Sequence, residues 1–148
     1  MPEHEIIQVL LVEDNPDHAT MVKRAFSKGR LANHIAWVKD GQEALDYLLR
    51  QGAYANGDSA KIPGLILLDL KLPKRDGFEV LSLLKQDTRL KLIPVIMLTT
   101  SAQEEEIKRC YALGANSYIT KPVQFAEFTE KIKEIELYWV LTNKLPKL

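Results

Sequence analysis

The 148-residue chain is 46% hydrophobic and carries twenty Lys and Arg against twenty Asp and Glu. That is the length of one ordinary domain, 1–148, with enough apolar residues for a single core, and the balanced charge without a basic block argues against a nucleic-acid partner. Cys110 is the sole cysteine, the opening MPEHEIIQ lacks the features of a signal peptide, and no apolar run approaches the roughly 20 residues that span a bilayer, so a cytoplasmic chain with no disulfide and no membrane span is expected.

The first element is the apolar run IIQVLLV at 6–12, a strand buried on both faces. Asn15-Pro16 then reads as a helix start, with Ala19, Val22, Ala25 and Phe26 on one face and Gly29 as the stop. HIAWV at 34–38 is a second strand, followed by a helix with Ala44, Leu45, Leu48 and Leu49 as its stripe. The connection at 50–64, RQGAYANGDSAKIPG, is longer than the usual link of about 2–6 residues and reads as a flexible surface loop, either a recognition insert or a tolerated one.

LILLD at 65–69 is the third strand, and Asp76-Gly77 opens a helix with Phe78, Leu81 and Leu84 inward. PVIMLT at 94–99 is the fourth strand. Its helix carries Ile107, Cys110 and Tyr111 and closes at Gly114. SYIT at 117–120 is the fifth strand, and Phe125, Phe128, Ile132, Ile135 and Trp139 mark the last helix. Five strands each followed by a helix predict an α/β fold, an open, doubly wound, five-stranded parallel sheet with right-handed crossovers and five helices; among its possible strand orders the flavodoxin-like 2-1-3-4-5 is the one chosen.

In such sheets ligands sit beyond the carboxyl ends of the strands. There the chain places Glu13-Asp14, Asp69, Thr99-Thr100 and Lys121-Pro122. Taken singly, Asp14 and Asn15 are a helix cap, Asp69 a turn acid and Lys121 a solvated lysine; their shared edge is what points to a site. Three clustered carboxylates need compensation, which a divalent metal and Lys121 supply. Mg²⁺ takes oxygen ligands and keeps waters, leaving room for a phosphate oxygen. A carboxylate beside it can attack phosphorus and become an aspartyl-phosphate while the cations neutralise the developing charge.

These residues together resemble the receiver domain of two-component response regulators: Glu13-Asp14, Asp69 followed by LKLPKRDG, Thr99, Tyr118 and Lys121-Pro122, over about residues 6–136. The resemblance implies that Asp69 accepts phosphate from a histidine kinase, and that Asp14, Asp69 and the Lys71 carbonyl hold Mg²⁺, with Glu13 acting through a water. It implies too that Lys121 contacts the phosphoryl group, that Thr99 and Tyr118 form a switch, and that the Lys121–Pro122 bond is cis, which a proline makes feasible. Three departures stand out. Glu13 replaces the more frequent Asp, Lys71 is a cation at a variable position, and Val123 stands where Phe is frequent. Lys71 and Ser101 are candidates for tuning dephosphorylation.

After the fifth strand only VQFAEFTEKIKEIELYWVLTNKLPKL remains, too little for an output domain. Leu137, Tyr138, Val140 and Leu141 add apolar surface beyond the helix stripe. Either the longer helix packs back on its own domain or the chain forms a homodimer through its fourth helix, fifth strand, fifth helix and tail; the second is the expectation carried forward. The long loop and the tail resemble the small response regulators that work with cyanobacterial phytochromes, which implies a phytochrome-type kinase as partner. The rivals are a receiver-like adaptor that is never phosphorylated, and an aspartate-nucleophile phosphatase of the haloacid dehalogenase type. The phosphatase needs a second Asp where Lys71 stands.

Overall fold

The computed structural model describes residues 8–27, 34–56 and 62–142. Five parallel strands, β1 (Gln8–Val12), β2 (His34–Val38), β3 (Leu65–Leu68), β4 (Val95–Thr99) and β5 (Ser117–Thr120), form one sheet in the order β2-β1-β3-β4-β5. Strand alternation sends Leu10, Val12, Ile66, Leu68, Val95 and Met97 to one face. There they pack under α2 (Gly41–Leu49), α3 (Gly77–Gln86) and α4 (Glu104–Leu113). Val9, Leu11, Leu65, Leu67, Ile96 and Leu98 go to the other face, beneath α1 (Pro16–Ser27) and α5 (Phe125–Ile135). Coverage on both faces explains why the three central strands read as unbroken apolar runs.

The helix starts follow local chemistry. Asn15 Oδ1 accepts from the amides of Asp17 (2.9 Å) and His18 (3.3 Å), with Pro16 at the first helical position. Asp40 and Asp76 cap α2 and α3 in the same way, accepting from Glu43 N (2.7 Å) and Glu79 N (2.9 Å). Gly114, at φ 109°, ends α4 in the left-handed conformation. The expected stop at Gly29 lies outside the described residues, as do the start of the first strand and positions 57–61 of the long loop. The described part of that loop includes a 3₁₀ turn at Gly52–Tyr54 that docks Tyr54 edge-on against Tyr47, with ring centroids 5.1 Å apart.

Three stripe positions are corrected. Leu49, Tyr111 and Phe125 are 43%, 50% and 58% exposed. Leu49 and Tyr111 each sit one residue, about 100° of helix rotation, past a buried neighbour, Leu48 and Cys110. Phe125 is the first residue of α5, at the rim beyond the end of β5. A second correction concerns the tail. α5 does not simply lengthen but widens into a π-helical segment, Glu136–Thr142, which leaves Leu137 and Tyr138 exposed while Trp139 packs partly against the core shared by α1 and α5.

Candidate functional site

Each site residue is fixed by the sheet's own hydrogen bonding just past the strand ends. Glu13 N donates to Val38 O (3.1 Å), Asp69 N to Val12 O (3.2 Å) and Lys121 N to Thr99 O (2.6 Å). The ladder therefore runs one residue further at β1, β3 and β5 and delivers Glu13, Asp69 and Lys121 to a single pocket. All three are buried, as is Thr99, while Asp14 lies at the exposed rim. Carboxylate oxygens of Glu13, Asp14 and Asp69 lie within 4.8 Å of one another. Lys121 Nζ donates to Glu13 Oε1 and to Asp69 Oδ2, the latter at 2.9 Å. Asp69 Oδ1 accepts from the Leu70 amide at 2.7 Å.

Burial pushes the Glu13 carboxyl up to about 7 against the pull of Lys121. With all three acids ionised, one ammonium leaves two negative charges uncompensated, the charge of one divalent cation. A set of clustered hard oxygen donors suits Mg²⁺ or Mn²⁺ and no soft metal. The acidic cluster therefore fits a divalent metal site.

The floor is made by close backbone approach. A Cβ on Gly77 would fall 2.3 Å from Asp69 O, so only glycine lets the first residue of α3 pass there, with Gly77 N donating to Leu70 O at 2.7 Å. A Cβ on Gly41 would fall 1.9 Å from Arg75 O. This second contact presses the loop at 70–76 against the start of α2. Arg75 Nε donates to Gln42 Oε1 (2.6 Å), Gly41 N to Pro73 O (3.3 Å), and Lys74 pairs with Asp40 at 3.6 Å. Lys74 and Arg75 thus brace the loop.

On the opposite wall Thr99 Oγ1 accepts from Ser101 N at 3.4 Å, and the Tyr118 hydroxyl donates to Ser101 O at 2.8 Å. Ser101 Oγ donates to Glu106 on α4. Thr99, Ser101 and Tyr118 therefore form one connected wall, with the half-buried Tyr118 ring resting on the α2–α4 side of the core. Lys71 is exposed and its ammonium is not drawn into the carboxylate cluster. The Lys121–Pro122 bond is trans, contrary to expectation. Trans is the intrinsically favoured form of an X–Pro bond, by about 0.5–1 kcal/mol, and here Lys121 Nζ reaches both carboxylates from it.

Two residues at the site carried no signal in the sequence. His18, half-buried on the first turn of α1, brings Nδ1 to 3.1 Å from Lys121 Nζ. Trp37, on the edge strand β2, donates from Nε1 to Glu13 O at 2.7 Å, with Lys23 and Lys39 over its ring. Nothing in the polar run DNPDH marks His18, and nothing in HIAWV marks its Trp.

Residues 9–133 match the family model described as response regulator receiver domain. The chain is 43% identical over 138 residues to a protein named "Probable methanogenesis regulatory protein FilR2", from Methanothrix harundinacea, covering 93% of this chain and 86% of that one. Among solved structures it is similar to the phosphorylated cyanobacterial phytochrome response regulator RcpA, with a TM-score of 0.92, 41% identity, and coverage of 97% and 100% of the two chains. It is also similar to the Mn²⁺-bound form of response regulator Rcp1, a name carried by a protein of Synechocystis sp., with a TM-score of 0.90, 38% identity, and coverage of 95% and 99%.

Proposed function

The chain belongs to the response regulator receiver family, and on that premise we propose that it takes a phosphoryl group onto Asp69 from a sensor histidine kinase and changes its protein contacts in response. The observation that carries the reading is the buried Asp69 carboxylate held between the Lys121 ammonium and the acidic cluster. A nucleophilic carboxylate there is pre-aimed by the Leu70 amide on one oxygen and Lys121 on the other. An Asp69 oxygen forms a bond to phosphorus as the bond from phosphorus to the donor's imidazole nitrogen breaks, and the imidazole takes up a proton.

Asp14, Asp69 and the Lys71 carbonyl would hold Mg²⁺, with Glu13 joined through a water. The ion supplies charge neutralisation for the phosphoryl oxygens. Lys121 moves a donor from Asp69 to a phosphoryl oxygen. Thr99 turns its hydroxyl toward the same group, and Tyr118 follows because both are tied to Ser101. The chain thereby promotes its own phosphorylation and dephosphorylation while serving as a signalling protein. Lys71 and Ser101 tune how water reaches the phosphoryl group; an unchanged phospho-lifetime in Lys71→Ala would remove Lys71 from that role.

A phytochrome-type kinase as donor is supported by the likeness to RcpA. Phosphotransfer from such a kinase, compared with unrelated histidine kinases, tests it. Exposed Tyr111, Val123, Phe125, Leu137 and Tyr138 support homodimerisation through α4, β5, α5 and the tail. Sedimentation at micromolar concentration that gives a monomer with and without phosphate rejects the dimer. A cytoplasmic location follows from the kinase partner.

Incubation with Mg²⁺ and acetyl phosphate tests the core of the reading. A mass gain of one phosphoryl group is expected in the wild type and none in Asp69→Asn. No gain in the wild type, or an equal gain in the variant, overturns the assignment and leaves the unphosphorylated adaptor.

A further inference from the structure

We propose that His18 is a positioning residue for phosphoryl transfer, its Nδ1 lone pair holding the Lys121 ammonium over Asp69 from the α1 side. The inference rests on the phosphoacceptor reading above. An ammonium has three N–H donors and no lone pair. Three acceptors surround this one: Glu13 Oε1, Asp69 Oδ2 at 2.9 Å and His18 Nδ1 at 3.1 Å. Because Lys121 can only donate, Nδ1 accepts, and the ring is the neutral tautomer with its proton on Nε2. Burial, followed by the neighbouring Lys121, holds the imidazole below its usual range, in keeping with a neutral ring.

Of the three acceptors, His18 is the one that is not a carboxylate of the acidic cluster, its Nδ1 lying 3.8 Å from Glu13 Oε1. Glu13 and Asp69 would be drawn toward a divalent ion and a phosphoryl group, whereas the imidazole is not one of the clustered carboxylates that would hold them. Its placement is over-determined. The His18 amide donates to the Asn15 cap at 3.3 Å, and the ring tilts against buried Phe128 of α5, with centroids 5.8 Å apart. The long, flexible lysine stem thus ends in a head held from the α1 side by a ring packed on Phe128. Holding a reacting partner within fractions of an ångström is where positioning gains rate.

The test uses the full chain with Mg²⁺ and saturating acetyl phosphate, whose carboxyl-oxygen-to-phosphorus bond breaks as the Asp69 bond forms and acetate leaves. His18→Leu keeps bulk against Phe128 and removes the lone pair. His18→Asn places an amide oxygen the same number of bonds from the backbone as Nδ1 and restores an acceptor. Phosphorylation is followed by mass, Mg²⁺ affinity by tryptophan fluorescence and folding by thermal melt.

The expected result is about tenfold slower phosphorylation in His18→Leu, with Mg²⁺ affinity within about twofold of wild type, and recovery of most of the rate in His18→Asn. A wild-type rate in His18→Leu overturns the inference. So does equal slowing in both variants, which would assign the effect to ring packing, and so does a loss of Mg²⁺ affinity large enough to account for the slowing. A wild type that gains no phosphate overturns the phosphoacceptor reading and takes this inference with it; one that gains phosphate beside an unslowed His18→Leu overturns this inference alone.

Discussion

Replacing Gly41 with Ala tests whether the loop behind Asp69 is braced from α2. The added Cβ would sit 1.9 Å from Arg75 O, 2.7 Å from Arg75 C and 2.8 Å from Arg75 Cβ. The first of these is about 1.5 Å short of an ordinary contact. Two of the three atoms are backbone, so no rotamer change relieves the clash, and either the loop at 70–76 or the start of α2 must move. Overpacking of this kind costs roughly 1–3 kcal/mol. Stretching the bond from Gly41 N to Pro73 O adds about 1 kcal/mol. The better helix propensity of Ala returns up to about 1 kcal/mol. The net loss is about 2 kcal/mol, or about 4–8 °C of melting temperature for a domain of this size. Because the same loop carries the Lys71 carbonyl, Mg²⁺ affinity should fall as well. Thermal melts with and without Mg²⁺ read both effects. A Gly41→Ala protein with wild-type melting temperature and Mg²⁺ affinity would show that the close approach positions nothing.

Lys85 donates to the carbonyls of Lys91 (3.0 Å) and Ile93 (3.1 Å) beneath the chain that leads into β4. Lys85→Met strips both of their donor and should cost about 2 kcal/mol in urea unfolding; a cost near zero would mean water replaces the ammonium. Burial pushes the Cys110 thiol up to about 11. A thiol-specific disulfide reagent should therefore react with it only as fast as the protein unfolds, and rapid labelling of the native state would contradict its burial. In the metal-free protein the Glu13 carboxyl is raised to about 7, chiefly by burial. Stability from its neutral form is complete below the ordinary value of 4.5 and is lost as pH rises through about 7. The metal-free melting temperature should fall across that window more steeply than that of Glu13→Gln, and Mg²⁺, which favours the ionised carboxylate, should reduce the difference. Identical slopes would refute the shift.

Strand runs and strand-end chemistry were legible in the chain because a parallel sheet buried on both faces writes itself as unbroken apolar stretches, and the residue after each is forced to the carboxyl edge. LILLD and PVIMLT each declare a strand and the polar group it presents. The hand of the crossovers alone leaves more than one doubly wound order open; the flavodoxin-like choice among them is the order the structure has. What was not legible depends on side chains meeting from distant segments. His18 reaches Lys121 across 103 positions, and Trp37 reaches Glu13 across 24. Neither has a local pattern. The exposure of Phe125 turned on where α5 begins relative to the sheet rim, which periodicity does not encode. The π-helical widening after Ile135 falls in a segment whose composition reads as ordinary helix, with Glu136 buried and Trp139 partly buried there.

The five-stranded sheet is also a partition. Asp69 stands at its edge, and its two neighbours lead to opposite compartments. Lys121 and His18 lead to Phe128, inside the core shared by α1 and α5. Thr99 and Ser101 lead to Tyr118, which rests on the core under α2, α3 and α4. Since the two cores lie on opposite faces of the sheet among the described residues, a phosphoryl group on Asp69 would reach them by two different routes. A partner on the α1 and α5 side and another at α4 would hear the same event through separate contacts. Substitutions on the two paths should then combine additively, as independent sites do.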